Sequence, residues 1–455
     1  MQVEKYTKML GKGLFRPFSS LKLRFSQLLP DVQARLSKLR KEKGELTLAT
    51  ITSDQVLGGM RGIQATLALT SKLDGNSGIL FRGLTIQDCR AKLPKKLIEP
   101  LPEGMIYLLM TGEVPNAEQA EEVRKEVASR AVVPETVERL VRSLPRSMHP
   151  MTQLSIGVLA LQSESEFLQR YRVGLAKADY WKPTYEDALN LIARIPRIAA
   201  IIYRQTYKDG SIVPSDPHLD LAANFAQMLG YPEASFSELM RLYMILHCDL
   251  ENSNASAHTT HMVGSALSDA YLAYSAGLNA LAGPLHGLAN QECLKFLLNL
   301  QASVGDDPTP EAVETYVKGL LQSGQLVPGY GHSVLRVTDP RFTCEMDFAA
   351  RVMPADPLCR LVRICSEVVP RMLAATGKVK NPWPNVDAQS GALLYHYGLR
   401  EFDFYTVLFG VSRAIGTMCS LVWSRGLGLP IERPESVTLE WLSAFAKGKA
   451  GSNQP

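Results

Sequence analysis

The sequence predicts a mainly α-helical protein with one small β element near its N-terminus. Three observations carry that expectation. Apolar residues recur at helical spacing over most of the chain. Strand-like alternation is confined to residues 46–86. Glycine and proline cut the remainder into helix-length pieces.

Taken in order, residues 1–20, "MQVEKYTKMLGKGLFRPFSS", place Lys5, Lys8, Lys12 and Arg16 on one side of a helix and Tyr6, Leu10 and Leu14 on another. Glu4 is the only acid, so the stretch reads as an amphipathic organelle transit segment. Residues 31–44 form a helix with Val32, Leu36 and Leu39 on one stripe, ending at Gly44. "LTLATIT" (46–52) alternates as a strand does, and residues 65–86 read as a hairpin around Asp74-Gly75. Residues 104–131 are a short helix, a Gly/Pro break and a second helix. Residues 186–207 are a long apolar-faced helix with Pro196 as its kink point. No internal repeat is present. The clearest irregular stretches are 305–311, 326–332 and 380–387, and the last two end in His332 and Asp387.

Composition narrows the function. The 455 residues carry a formal charge of +4, yet residues 1–43 alone hold eleven Lys/Arg against three acids. The body is therefore mildly acidic, which argues against a nucleic-acid surface. No run of about 18 purely apolar residues occurs. The nearest, 405–423, is interrupted by Arg413, so no membrane span is expected. Seven scattered cysteines with no CxxC pair suit a reducing interior.

Four segments can carry chemistry. In "LAGPLHGLANQE", Gly283-Pro284 breaks a helix and His286 precedes the next one. The positive end of the helix dipole would disfavour imidazolium, and a neutral imidazole can donate to a carbonyl oxygen that gains charge. A capping or loop histidine fits as well. In "VPGYGHSVLRVTDPR", Gly329 and Gly331 flank Tyr330 and leave His332 on a loop that can approach a ligand closely. Arg336 and Arg341 follow, suited to bidentate carboxylate binding or to a solvated turn at Asp339-Pro340. In "KNPWPNVDAQSG", two prolines stiffen the approach to Asp387, which fits a general base or a helix N-cap. Arg413, inside its apolar run, needs an anionic partner from the protein or from a substrate. Together these residues suit an anionic, carboxylate-rich substrate and proton transfer next to a carbonyl. A fifth stretch, "HCDLENSNASAHTTH" (247–261), gathers His247, His258 and His261. Their spacing invites a metal site, but the Asn/Ser-rich centre argues for a helix break there.

These motifs, with "YTVLFGVSRAIG" and "WSRGLGLPIERPES", resemble the citrate synthase family of the eukaryotic mitochondrial type, from about residue 21 to 446. The resemblance implies a multi-helical two-domain homodimer. Residues 21–288 and 393–446 would form the large domain and 289–392 the small one, with 1–20 a transit segment and 447–455 a flexible tail. It implies condensation of acetyl-CoA with oxaloacetate in the mitochondrial matrix, without metal or cofactor, acetyl-CoA being a substrate. Asp387 would be the base, His286 the enol stabiliser and His332 the group polarising oxaloacetate. Arg341 and Arg413 would hold carboxylates, with Arg433 reaching in from the partner subunit. Arg336, Lys380, Arg61 and Lys177 would contact coenzyme A, although the family more often has arginine at the last position. His258 and His261 would be structural.

The departure is Leu250, where the family has a histidine that helps bind oxaloacetate. It keeps open a catalytically impaired homologue with an interaction role. A 2-methylcitrate synthase acting on propionyl-CoA would keep the same catalytic residues.

Overall fold

A computed structural model describes residues 19–377 and 379–448. Residues 1–18, which hold most of the expected transit segment, lie outside the described residues, as do 449–455 of the expected tail. Twenty α-helices, three short 3-10 helices and one two-stranded antiparallel sheet make up the regular structure among the described residues.

The first helix spans Ser20–Lys43, starting eleven residues before the expected position and continuing through Pro30. Ser19 sets its start by accepting a hydrogen bond from the Lys22 amide at 3.2 Å. Leu21, Phe25 and Leu29 anchor it in the core. Gly44 does end this helix, but in a right-handed conformation.

The strand expected at 46–52 does not form. These residues are exposed and irregular, and lead into a five-residue helix, Ser53–Leu57. Alternation alone is insufficient where no neighbouring strand offers hydrogen bonds. The hairpin does form, and is shorter than its pattern, with Ser71–Asp74 paired to Gly78–Phe81. Asp74 organises its turn, accepting from the amides of Asn76 and Ser77 at 2.9 and 2.8 Å.

The expected helix pair around residue 112 spans Pro102–Thr111 and Ala117–Arg130, with Gly112 left-handed (φ 80°) at the break. Two long helices form the centre of the core. Trp181–Tyr207 runs unbroken past Pro196 and buries nineteen residues. Tyr405–Leu427 packs against it and is buried on every side. Length and composition would let this second helix cross a membrane, but 94% of its apolar window is buried inside the protein. Arg413 therefore sits in the protein interior.

The last helix, Leu439–Ala446, buries no residue. Leu46, Leu48, Ile51, Leu57, Ile431, Leu439 and Phe445 are likewise exposed, all on the two terminal arms.

Candidate functional site

The break expected in 247–261 is present. The helix Ala234–His247 ends at His247, and Ala255–Ser265 begins behind Asn254, whose side chain accepts from the Ala257 amide at 3.1 Å. No cluster of three metal-ligating side chains occurs among the described residues. His261 bonds instead to Glu432 and to Ser424 Oγ, the latter at 3.1 Å. His258 meets the Asn252 carbonyl at 3.2 Å. His258 thus holds neighbouring backbone, and His261 ties its helix to the side chains of Ser424 and Glu432.

His247 is buried between aromatic rings. Its ring stacks on Tyr243 with centroids 4.1 Å apart, and its Nδ1 donates to the Tyr243 carbonyl at 3.0 Å. Burial and the nearby Arg341 push its pKa down to about 3, so the ring is neutral.

Beside it, Arg413 projects from the Tyr405–Leu427 helix, 1% exposed. Its Nε donates to the His247 carbonyl at 3.0 Å and its guanidinium lies 4.7 Å over the Phe409 ring. Both Nη atoms are buried and have no hydrogen-bond partner among the described residues. Asp249 partly balances this charge, yet its own Oδ2 also lacks a partner. The helix passes close to Asp249 because residue 416 is glycine: a Cβ there would lie 2.3 Å from the Asp249 Cβ. Four donor N–H groups on two buried nitrogens are thus available for an anion.

His286 lies in the turn between Ala270–Leu281 and Ala289–Val304. Its Nε2 accepts from the Ser256 amide at 3.3 Å and sits 2.9 Å from Ser256 Oγ. An amide can only donate, which assigns the ring proton to Nδ1. Its pKa is lowered to about 4, as the sequence suggested, but the cause is different. Burial and then the charge of Arg413 lower it, not the helix end.

His332 and Asp387 come from two loops laced together by backbone bonds. Gly331 donates to the Trp383 carbonyl at 3.0 Å, Asn385 to the Gly329 carbonyl at 2.9 Å, and Asp339 to the Pro384 carbonyl at 3.1 Å. Asn381 Nδ2 adds a bond to the Leu335 carbonyl at 2.7 Å. Gly329 is required, because its φ is 82° and a Cβ would stand 2.6 Å from Cys293 Sγ. His332 Nδ1 accepts from the amides of Val334 and Leu335 at 2.9 and 3.1 Å, so the proton resides on Nε2. Asp387 is the first residue of the helix Asp387–His396, and its carboxylate caps nothing. Burial raises its pKa to about 6 against the opposing pull of Arg341.

Arg341, in the first turn of Pro340–Val352, pairs with Asp339 through Nε and Nη2 at 3.1 and 2.7 Å. Mutual charge effects bring His247, His332, Arg341, Asp339 and Asp387 into one neighbourhood, and link His286 and His247 to Arg413. Five of the sequence-predicted residues, His286, His332, Arg341, Asp387 and Arg413, thus share one neighbourhood, in which Arg341 and Arg413 are buried and the other three half-buried.

Of the others, Arg336 reaches the edge of this region, where its charge acts on His332. Arg336 is exposed, and its Nη1 folds back on the carbonyls of Val334 and Leu335, both at 2.8 Å. Arg61, Lys177, Lys380 and Arg433 are exposed, with no contact to this region among the described residues. Leu250 is half-buried against the core, and its carbonyl accepts from Asn254 Nδ2 at 2.7 Å. Sequence reasoning missed Ser256, Asp249 and Glu345. The helical spacing of Glu345 from Arg341 was a usable signal for the last.

Comparison with known proteins adds the following. The family profile "Citrate synthase, C-terminal domain" matches residues 59–435. "Citrate synthase 4, mitochondrial" of Arabidopsis thaliana is 53% identical over 434 residues, covering 95% of this chain and 91% of that protein. "Citrate synthase, mitochondrial" of Daucus carota is 54% identical over 429 residues, covering 94% and 91%. Among solved structures, citrate synthase from Pyrobaculum aerophilum superposes with a TM-score of 0.74 at 27% identity, covering 86% of this chain and 95% of that one. The Thermoplasma acidophilum enzyme, solved with carboxymethyl coenzyme A and oxaloacetate, gives 0.70 at 23% identity, covering 86% and 97%, and supports the fold.

Proposed function

The chain belongs to the citrate synthase family, and from that premise we propose how its own residues carry the reaction. It condenses acetyl-CoA with oxaloacetate and water to give citrate and free coenzyme A, and its relatives are the mitochondrial enzymes. We read the mitochondrial matrix as its location.

The observation that carries the assignment of roles is Arg413, a buried guanidinium with both Nη atoms unpartnered. Leaving such donors unmatched is costly unless an anion completes them. A carboxylate of oxaloacetate does so, and Arg341 holds the other. Arg433 joins from a second copy of the chain. The exposed apolar residues of the terminal arms support a homodimer that covers them.

Proton transfer follows from the protonation states. At neutral pH Asp387 is ionised and takes a proton from the acetyl methyl group. His286, neutral, donates its Nδ1–H to the thioester oxygen as the enol forms. His332 donates Nε2–H to the oxaloacetate carbonyl and draws electron density from the carbon under attack. Water then hydrolyses citryl-CoA. The chemistry assigned here uses side chains alone, without metal or cofactor. Arg336, Arg61, Lys380 and Lys177 bind coenzyme A from the surface. Residues 289–392 close as a small domain over 21–288 and 393–446, excluding water from the site.

Release of free coenzyme A from oxaloacetate plus acetyl-CoA tests the activity. A preference for propionyl-CoA in initial rates would move the assignment to 2-methylcitrate formation. Leu250 motivates a second reading, an impaired homologue with an interaction role, which the relatives do not favour; absence of citrate at saturating substrates would overturn the active-enzyme reading.

A further inference from the structure

Glu345 is a buried acid that the mechanism above does not use. It lies four residues after Arg341 on the helix Pro340–Val352, so both side chains leave the same face. It is 1% exposed, and its Oε2 has no hydrogen-bond partner among the described residues. The charged and titratable groups that act on it come from several of the elements around it. They are Asp387 on its helix, Asp339 and Arg341 at the start of its own helix, Cys344 beside it, Tyr243 on Ala234–His247, and Cys293 on Ala289–Val304.

The charge balance here decides the state. Asp339, Asp387 and an ionised Glu345 against Arg341 would leave a net charge of −2 where a dianion must bind. Burial, followed by Asp387 and Asp339, holds the Glu345 carboxyl protonated well above the ordinary carboxylate range.

We infer that Glu345 is a positioning residue: an uncharged acid buried behind Arg341 and Asp387, which leaves Asp339 as the one carboxylate paired with Arg341 through Nε and Nη2 and the rest of that guanidinium for a dianionic substrate. The inference rests on the reading of Arg341 given above. Glutamine mimics the neutral acid in size and charge, so it should be a nearly silent replacement at neutral pH. Were Glu345 ionised, the same change would delete a negative charge a few ångströms from the substrate. At an effective dielectric of about 20, that deletion would tighten dianion binding on the order of tenfold to a hundredfold.

The test compares wild type with Glu345→Gln at pH 7.5. The wild-type minus variant infrared difference spectrum should show the carbonyl band of a protonated carboxylic acid. Oxaloacetate Kd should agree within about twofold, since no charge changes. A missing band, or tightening of about tenfold or more, overturns the inference. So does loosening of that size with the band present, because the acid would then bind substrate itself. Should the glutamine variant fail to accumulate, Glu345→Met, similar in volume and without a titratable group, takes its place. Arg341→Gln separates the two readings. If it leaves oxaloacetate binding intact while the infrared band persists, the role of Arg341 fails and the neutral acid stands.

Discussion

Replacing Asp387 with asparagine should abolish turnover and stabilise the protein, in a pH window that the structure defines. Burial lifts the carboxyl pKa to about 6 in the folded chain, from the ordinary aspartate value of 3.8. A raised acid pKa means that folding favours the protonated form. The stabilising contribution is therefore fully present below about pH 4 and is lost as pH rises through about 6. The shift of roughly two units corresponds to about 3 kcal/mol at neutral pH. Asparagine is neutral at every pH and never bears this penalty. Equilibrium urea unfolding of both proteins, at one protein concentration, should show stability curves that meet near pH 4 and differ by about 3 kcal/mol at pH 7.5, with the variant higher. Parallel curves across that range would show that Asp387 is not strained by its burial, and the reasoning would fail.

Other expectations follow from the same geometry. The acid limb of kcat/KM should be a single tenfold loss per pH unit below about pH 6, because His286 and His247 stay neutral down to about 4 and 3; a second limb between pH 5 and 7 would contradict those states. Arg413→Met should raise KM for oxaloacetate by ~100-fold or more in initial-rate measurements, through loss of two charge-assisted hydrogen bonds. Gly329→Ala should destabilise by about 2–4 kcal/mol, from the left-handed backbone and the clash with Cys293, and urea unfolding reads it directly. Leu250→His should lower KM for oxaloacetate by about tenfold, the equivalent of one added hydrogen bond; an unchanged KM would place residue 250 outside the pocket.

The parts of the fold legible in the sequence were those set by local rules. The turn at Asp74-Gly75 and the paired helices around Gly112 follow from short-range chemistry, and both formed. The failure at 46–52 is equally informative, because a strand depends on a neighbouring edge that the local pattern cannot supply. The site was legible as residue types but not as electrostatics. His286 is neutral because Arg413, 127 residues away in sequence, adds its charge to the effect of burial. The raised pKa of Asp387 likewise comes from burial, which outweighs the lowering pull of Arg341, and only the folded chain brings either about. Glu345 escaped attention because its spacing from Arg341 puts the two on one helix face without saying that the face is buried.

The tautomers of His286 and His332 are fixed in opposite senses, and main-chain amides contribute to both choices. An amide belongs to every residue type except proline. Drift at positions 256, 334 and 335 can therefore alter side chains without removing those donors. Selection on proton placement then falls on backbone path more than on residue identity, which gives this catalytic centre a tolerance to mutation that a relay of side chains would lack.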